Sequence, residues 1–192
     1  MKRLLLIFAV GAIVSSCNNS DTKTTATGGD TTKTTNAALA DAKASLPEMP
    51  YKLDSAYKNW QTGDPQHAVT VMKGLQAYEN GDIAACMNAF GDSVWVGFDY
   101  FHKTMSKDSL KAFFTQGRAM YSSMKVKMED WESVISADKK SEWVTLWYKE
   151  YTTDKKGVTD SLDVINDAKM VNGKIVVLDE KTQHLGPPPA KK

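Results

Sequence analysis

The chain has 192 residues and a formal net charge of +1, with 42% hydrophobic and 24% charged residues. This length allows one globular domain with appendages, and the composition is typical of a chain that buries a core. Because the net charge is close to zero, there is no electrostatic basis for nucleic-acid binding, and no nucleic-acid partner is expected.

The N-terminal residues 1–16 are predicted to be an export signal. Lys2-Arg3 precedes an apolar run, Leu4 to Val14, that is shorter than the about 20 residues a membrane-spanning helix needs. The run ends at Val14-Ser15-Ser16-Cys17, which resembles the bacterial lipobox. That resemblance implies cleavage before Cys17 and acylation of its thiol. The alternative is an ordinary signal peptide that happens to be followed by a cysteine.

Residues 17–50 are predicted to be the lipidated cysteine and a flexible tether. The segment is rich in Thr, Asn, Asp, Gly and Ala, with no aromatic residue from Asn18 to Leu46. Such a composition cannot bury enough apolar surface to offset the entropy of ordering. The folded domain is expected over residues 51–185, followed by a Pro/Lys tail at residues 186–192.

The first half of the predicted domain is mainly helical. Asp64 as N-cap and Pro65 at the first helical position mark the start of one helix, and a short second helix begins near Ile83. A strand is predicted from Ser93 to Phe101, which leaves His102 in a loop. Ser106 is the expected N-cap of a third helix.

The second half is predicted to be a meander of antiparallel strands. Strand-like runs rich in β-branched and aromatic residues are separated by short turns, and the Asn172-Gly173 pair is the strongest hairpin signal. The runs extend over Lys125–Ile135, Trp143–Tyr151, Ser161–Val171 and Lys174–Leu178.

Alternation along these runs assigns side chains to the two faces of the sheet. Val144, Leu146 and Tyr148 share one face, and Trp143, Thr145 and Trp147 share the other. In the third run, Asn166 is the one polar residue in phase with the apolar positions, whereas Asp163 and Asp167 fall opposite. We therefore expect a core face that includes Tyr148 and Asn166.

The order helix, helix, strand, helix and meander resembles the nuclear transport factor 2-like superfamily, which includes SnoaL-like and ketosteroid-isomerase-like proteins. Two stretches sharpen this resemblance: Gly74–Asp82 running into Phe90–Val94, and Asn172–Ile175. The segment Trp60–Pro65 and the lipobox further resemble lipid-anchored members from Bacteroidota, as do Trp143 and Trp147. The resemblance implies an α+β fold in which a cone-like curved antiparallel sheet wraps around about three helices.

Such cones often hold an apolar pocket, and in an isomerase-like enzyme a pocket carboxylate acts as a base beside oxyanion donors. The candidate pocket-lining residues are Val96, Phe98, Tyr100, Phe114, Trp147, Tyr148, Asn166 and Asp163. No isomerase or cyclase catalytic pattern can be mapped onto the chain, and this counts against catalysis. Cys86, on the apolar side of its helix, is expected to be a buried inert thiol.

No spacing of His, Cys or acidic residues indicates a metal site, and no Gly-rich phosphate loop indicates a nucleotide; no cofactor is expected. The leading hypothesis is an envelope protein anchored by lipid to the outer membrane, which binds a small apolar ligand or a protein partner and could form a homodimer through its sheet. One alternative is a proton-transfer enzyme with a pocket carboxylate of raised pKa beside Tyr or Trp donors. Another is an interaction module with a filled cone.

Overall fold

A computed structural model describes residues 49–99 and 101–186 of the chain. The predicted signal and Cys17, most of the tether, Tyr100 and the tail beyond Gly186 lie outside the described residues. From Tyr51 to Trp60 the chain has no regular secondary structure. The helices and strands that follow are β1 (Gln61–Thr62), α1 (Pro65–Glu79), α2 (Ile83–Cys86), β2 (Phe90–Phe98), β3 (Phe101–Ser106), α3 (Lys107–Arg118), β4 (Tyr121–Ile135), β5 (Glu142–Asp154), β6 (Thr159–Val171) and β7 (Lys174–His184).

Helix starts follow the predicted capping chemistry. The Asp64 side chain accepts a hydrogen bond from the backbone N–H of Gln66 at 2.8 Å, and Pro65 is the first residue of α1. The Ser106 hydroxyl accepts from the N–H of Ser109 at 3.3 Å at the start of α3. Both predicted N-caps are confirmed.

The seven strands form one sheet in the order β1-β4-β5-β6-β7-β2-β3. Every neighbouring pair is antiparallel except β2 and β7, which run parallel. The predicted fold class is therefore confirmed, with one correction: the sheet is mixed rather than wholly antiparallel. β2 precedes the meander in the chain. The last strand of the meander, β7, lies beside β2 and runs in the same direction.

The predicted strand from Ser93 to Phe101 is wrong at its end. The chain leaves β2 after Phe98, turns at Asp99 with a φ of 48°, and returns as β3. His102 therefore lies in a strand and not in a loop. Asp tolerates positive φ better than most residues do, so it can occupy this turn without glycine.

The core lies between the concave face of the sheet and the three helices. Val144, Leu146 and Tyr148 of β5 are 0%, 0% and 1% exposed, and Asn166 of β6 is 5% exposed. The predicted alternation along both strands is confirmed. Cys86 is buried in the same core. No helix in the described part of the chain is long and apolar enough to cross a membrane.

Candidate ligand-binding cavity

The core is not completely filled, and a cavity of about 410 Å³ lies between the sheet and the helices. Aromatic side chains from both layers form much of its wall. Phe114 of α3 packs edge-to-face on Tyr78 of α1, with ring centroids 5.3 Å apart, and on Phe90 at 5.6 Å. Phe113 stacks on Phe98 at 5.8 Å. These contacts fix the wall, because aromatic pairs favour offset and edge-to-face geometries.

Three polar side chains from adjacent strands converge in this cavity. The Asn166 amide Nδ2 donates to the Tyr148 hydroxyl at 2.9 Å and to Glu180 Oε2 at 3.2 Å. The Tyr148 hydroxyl also donates to Glu180 Oε2, over 3.5 Å. Asn166 Oδ1 has no hydrogen-bond partner among the described residues. We call Tyr148, Asn166 and Glu180 the polar cluster.

The environment of Glu180 disfavours its ionised form. Burial raises the pKa of this carboxyl to about 7, and the negative charges of Glu150 and Asp99 act in the same direction. The hydrogen bonds from Asn166 and Tyr148 oppose this shift but are the smaller influence. At neutral pH the group therefore exchanges between its protonated and ionised forms.

Burial also raises the pKa values of two neighbouring groups, Glu150 and Tyr148. The pKa of Glu150 is raised to about 7, first by burial and then by the charge of Asp160. Burial, followed by the charges of Glu180 and Glu150, raises the pKa of the Tyr148 phenol well above its usual value. Tyr148 is therefore a neutral O–H donor at any physiological pH.

The cavity reaches the surface beside Asp160 and His184, both of which line it and are exposed. His184 Nδ1 lies 3.2 Å from Asp160 Oδ1. Asp99 also lines the cavity and accepts a hydrogen bond from the Thr182 hydroxyl at 3.2 Å. The rim is thus acidic and polar, whereas the deeper wall is apolar.

A second depression, of about 620 Å³, lies along the ends of β4, β5 and β6. Its lining is mostly exposed, including Lys125, Tyr151 and Val158. Thr152 is its one buried lining residue. A binding site for a small molecule typically encloses its ligand and presents a few convergent polar groups, so the inner cavity is the better candidate.

The structure brings four of the predicted pocket residues together at the cavity: Phe98, Phe114, Tyr148 and Asn166. Val96 is fully buried in the core and does not line the cavity. Tyr100 is outside the described residues.

Trp147 and Asp163 lie on the opposite face of the sheet, away from the cavity. Trp147 pairs across β5 and β6 with the exposed Ile165, and Asp163 forms an ion pair with Lys149. Their positions follow from strand alternation, since each is one residue out of phase with the buried positions. They are therefore not lining residues of this cavity.

Sequence reasoning missed Glu150 and Glu180. Glu150 is in phase with Val144, Leu146 and Tyr148 along β5, so extending the alternation by two residues would have indicated it. Glu180 could not be placed in this way, because the predicted strand ended at Leu178 and β7 contains an irregularity before that residue.

The described residues contain no group of three or more His, Cys, Asp or Glu side chains arranged to hold a metal ion. The polar cluster instead combines one carboxyl, one phenol and one amide in an apolar wall. Chemically, it can hydrogen-bond a polar group of a bound molecule and can take up or release one proton near neutral pH.

Comparison with solved structures identifies the fold. An LEH-like epoxide hydrolase from M. tuberculosis has 15% identity and a TM-score of 0.50, covering 62% of this chain and 84% of its own. AusH from Aspergillus nidulans has 12% identity and a TM-score of 0.52, covering 64% and 87%. An NTF2-like protein of unknown function from Burkholderia pseudomallei has 14% identity and a TM-score of 0.51, covering 61% and 90%.

These similarities define the domain as a nuclear transport factor 2-like fold of the α+β class, in which a curled seven-stranded sheet packs on three helices. At such low identities the similarity extends to the fold alone. No protein-family model matches the sequence, and no curated protein matches it.

Proposed function

We propose that this domain binds a small, largely apolar molecule in the inner cavity, with the polar cluster contacting the polar group of that molecule. The observation that carries the proposal is the cavity itself, whose volume of about 410 Å³ falls within the roughly 300–1,000 Å³ typical of small-molecule sites. A cone filled by its own side chains would leave no such space, so the interaction-module hypothesis is the weaker one.

Binding can be tested with the neutral fluorescent probe N-phenyl-1-naphthylamine and the full-length protein. Leu162 and Ile165 provide a matched pair on β6, because Leu162 lines the cavity and Ile165 points to the other face. Leu162→Trp should reduce the fluorescence enhancement by filling space, and Ile165→Trp should leave it unchanged. Equal enhancement in all three proteins would contradict binding in this cavity.

A second candidate function is proton transfer on an apolar substrate. It is favoured by Glu180, whose raised pKa of about 7 suits a group that accepts and returns a proton near neutral pH. The Tyr148 hydroxyl is a neutral donor beside that carboxyl and could stabilise negative charge developing on a substrate oxygen.

Isomerisation of 3-cyclohexen-1-one to its conjugated ketone is a direct assay of the second candidate. Glu180→Gln should lower the rate by roughly a hundredfold or more if Glu180 is the base. Asp179→Asn, a change in the adjacent residue that points away from the cavity, should retain the rate. Absence of any acceleration by the unmodified protein would leave ligand binding as the function.

We further propose that the domain acts at the cell envelope, held to the outer membrane by acyl chains on Cys17. The apolar run before Cys17 and the tether-like composition after it support this location. Mass spectrometry of the mature N-terminal peptide should find diacylglycerol on Cys17. An unmodified Cys17 in the mature protein would contradict the anchor while leaving the cavity proposal intact.

A further inference from the structure

The charged side chains that line the cavity are almost all acidic. Four carboxyl groups line it, those of Asp99, Glu150, Asp160 and Glu180, and no Lys or Arg is among its described lining residues. The one lining side chain able to become cationic, His184, is already beside Asp160 at 3.2 Å. The interior carboxyls of Glu150 and Glu180 therefore have no cationic side chain of their own within the cavity wall.

Arg118 lies next to the cavity, but its guanidinium is hydrogen-bonded to backbone carbonyls. Its guanidinium donates to the backbone carbonyls of Tyr78 and Glu79 at 3.1–3.2 Å and to that of Tyr121 at 3.1 Å. These bonds tie α3 to the end of α1 and the start of β4. Arg118 is therefore a structural group and does not line the cavity.

Hydrogen-bonding capacity in the cavity is similarly unbalanced. Only 5% of the surface of Asn166 is exposed, and its Oδ1 has no hydrogen-bond partner in the described part of the chain. Its Nδ2 is already committed to Tyr148 and Glu180. The polar cluster therefore has an unpaired hydrogen-bond acceptor, whereas its N–H and O–H donors already have partners. Since unpaired buried acceptors are costly, a ligand that brings N–H donors would be favoured.

The apolar part of the wall is suited to the same kind of ligand. Seven aromatic side chains line the cavity, among them Phe98, Phe113 and Phe114. The faces of aromatic rings attract cations, and the interaction strengthens where the cation is shielded from water. An anionic ligand would instead meet four carboxyls and the negative faces of the rings.

We propose that the ligand of this cavity is a hydrophobic cation, an ammonium group on an apolar body, for which Glu180 and Glu150 supply the counter-charge. The proposal rests on the proposed small-molecule function and names the class of molecule. Burial raises the pKa of both carboxyls, and the charge of Glu150 raises that of Glu180 further, so one bound cation would stabilise the ionised form of each.

Three probes of one skeleton separate charge from shape: 4-phenylbutylamine, 4-phenylbutan-1-ol and 4-phenylbutyrate, which are cationic, neutral and anionic at pH 7.5. Binding to the full-length protein would be measured by isothermal titration calorimetry. The amine should bind roughly ten- to a hundredfold more tightly than the alcohol, as expected for hydrogen bonds to a charged group, and the carboxylate should bind most weakly.

Variants at three carboxyls locate the effect. Glu180→Gln and Glu150→Gln should each remove most of the advantage of the amine over the alcohol. Asp179→Asn is the matched control, since Asp179 neighbours Glu180 in β7 but pairs with Lys181 outside the cavity. Titrations in buffers of different ionisation enthalpy should show that the amine displaces protons near pH 7, and that Glu180→Gln reduces this release.

The outcomes are distinct. Equal affinity for the amine and the alcohol, or tighter binding of the carboxylate, would overturn the preference for a cation while leaving the small-molecule function standing. Failure of all three probes, together with failure of N-phenyl-1-naphthylamine, would overturn both. A preference for the amine that persists in both glutamine variants would also overturn the inference, because the counter-charge would then lie elsewhere.

Discussion

Asn166 and Glu180 lie directly opposite each other on β6 and β7, with Asn166 Nδ2 3.2 Å from Glu180 Oε2. This pairing depends on an irregularity in the hairpin. Next to the turn Met170 pairs with Ile175, but beyond it Lys169 pairs with Val177, so one extra residue is accommodated in β7. The extra residue changes which side chains face inward, as a β-bulge does. Glu180, and not Asp179, therefore faces the cavity.

Glu180→Gln should stabilise the protein at alkaline pH. The folded-state pKa of about 7 is above the ordinary value of 4.5, so between these pH values the folded state retains a proton that the unfolded state has lost. Stability therefore falls as pH rises through this window, and the whole penalty is present above pH 7. Urea unfolding should show a gain on the order of 1–2 kcal/mol for the variant at pH 8 and little gain at pH 4.5.

A contradictory result would be equal effects of Glu180→Gln at both pH values. Asp179→Asn, on the same strand but the other face, serves as the control and should lack the pH-dependent gain.

The two faces of the sheet should differ in their response to truncation. Leu146 is fully buried, whereas Ile165, on the adjacent strand, is 39% exposed. Leu146→Ala should lower the free energy of unfolding by about 2–5 kcal/mol through lost burial and a new void. Ile165→Ala should lower the free energy of unfolding by well under half of that amount. Comparable losses measured by urea unfolding would contradict the assignment of faces.

The hairpin turn between β6 and β7 requires positive φ at both central residues, 50° at Asn172 and 72° at Gly173. A side chain at the second position is strained whatever the free space, so Gly173→Ala should destabilise the protein by about 1 kcal/mol. Gly186→Ala adds the same methyl group where no atom lies within 4 Å and φ is not positive. Thermal unfolding should show a lower midpoint for the first variant alone.

Cys86 should be chemically inert in the native protein. Burial, with a smaller influence from Asp82, raises the pKa of its thiol to about 12, and the thiolate is the reactive form. Iodoacetamide at pH 8 should therefore alkylate Cys86 only after denaturation, as peptide mass spectrometry can measure. Rapid labelling of Cys86 in the folded protein would show that this part of the core opens readily. Cys86→Ala identifies any signal that comes from another site.

Local chemistry predicted much of the fold. Asp64, Pro65 and Ser106 marked helix starts because side-chain capping depends on neighbouring residues only. Asn172-Gly173 marked the hairpin because its backbone requirement is equally local. Strict alternation in β5 and most of β6 then placed Tyr148 and Asn166 on the buried face.

The remainder depended on features that are not local in sequence. The parallel pairing of β2 with β7 joins distant segments, and the turn at Asp99 carries no glycine to reveal it. The bulge in β7 gives no residue signature, yet it decides that Glu180 completes the polar cluster. Trp147 and Asp163 were proposed from their chemistry, although their phase in the strands placed them outside the cavity.

Native mass spectrometry of the protein purified from its own organism tests the central claim that the inner cavity holds a small molecule. A reproducible small-molecule adduct is expected on the unmodified protein and on Ile165→Trp, and it should be absent from Leu162→Trp, in which the cavity is filled. Bare protein in all three preparations, or an adduct that persists in Leu162→Trp, would contradict the account.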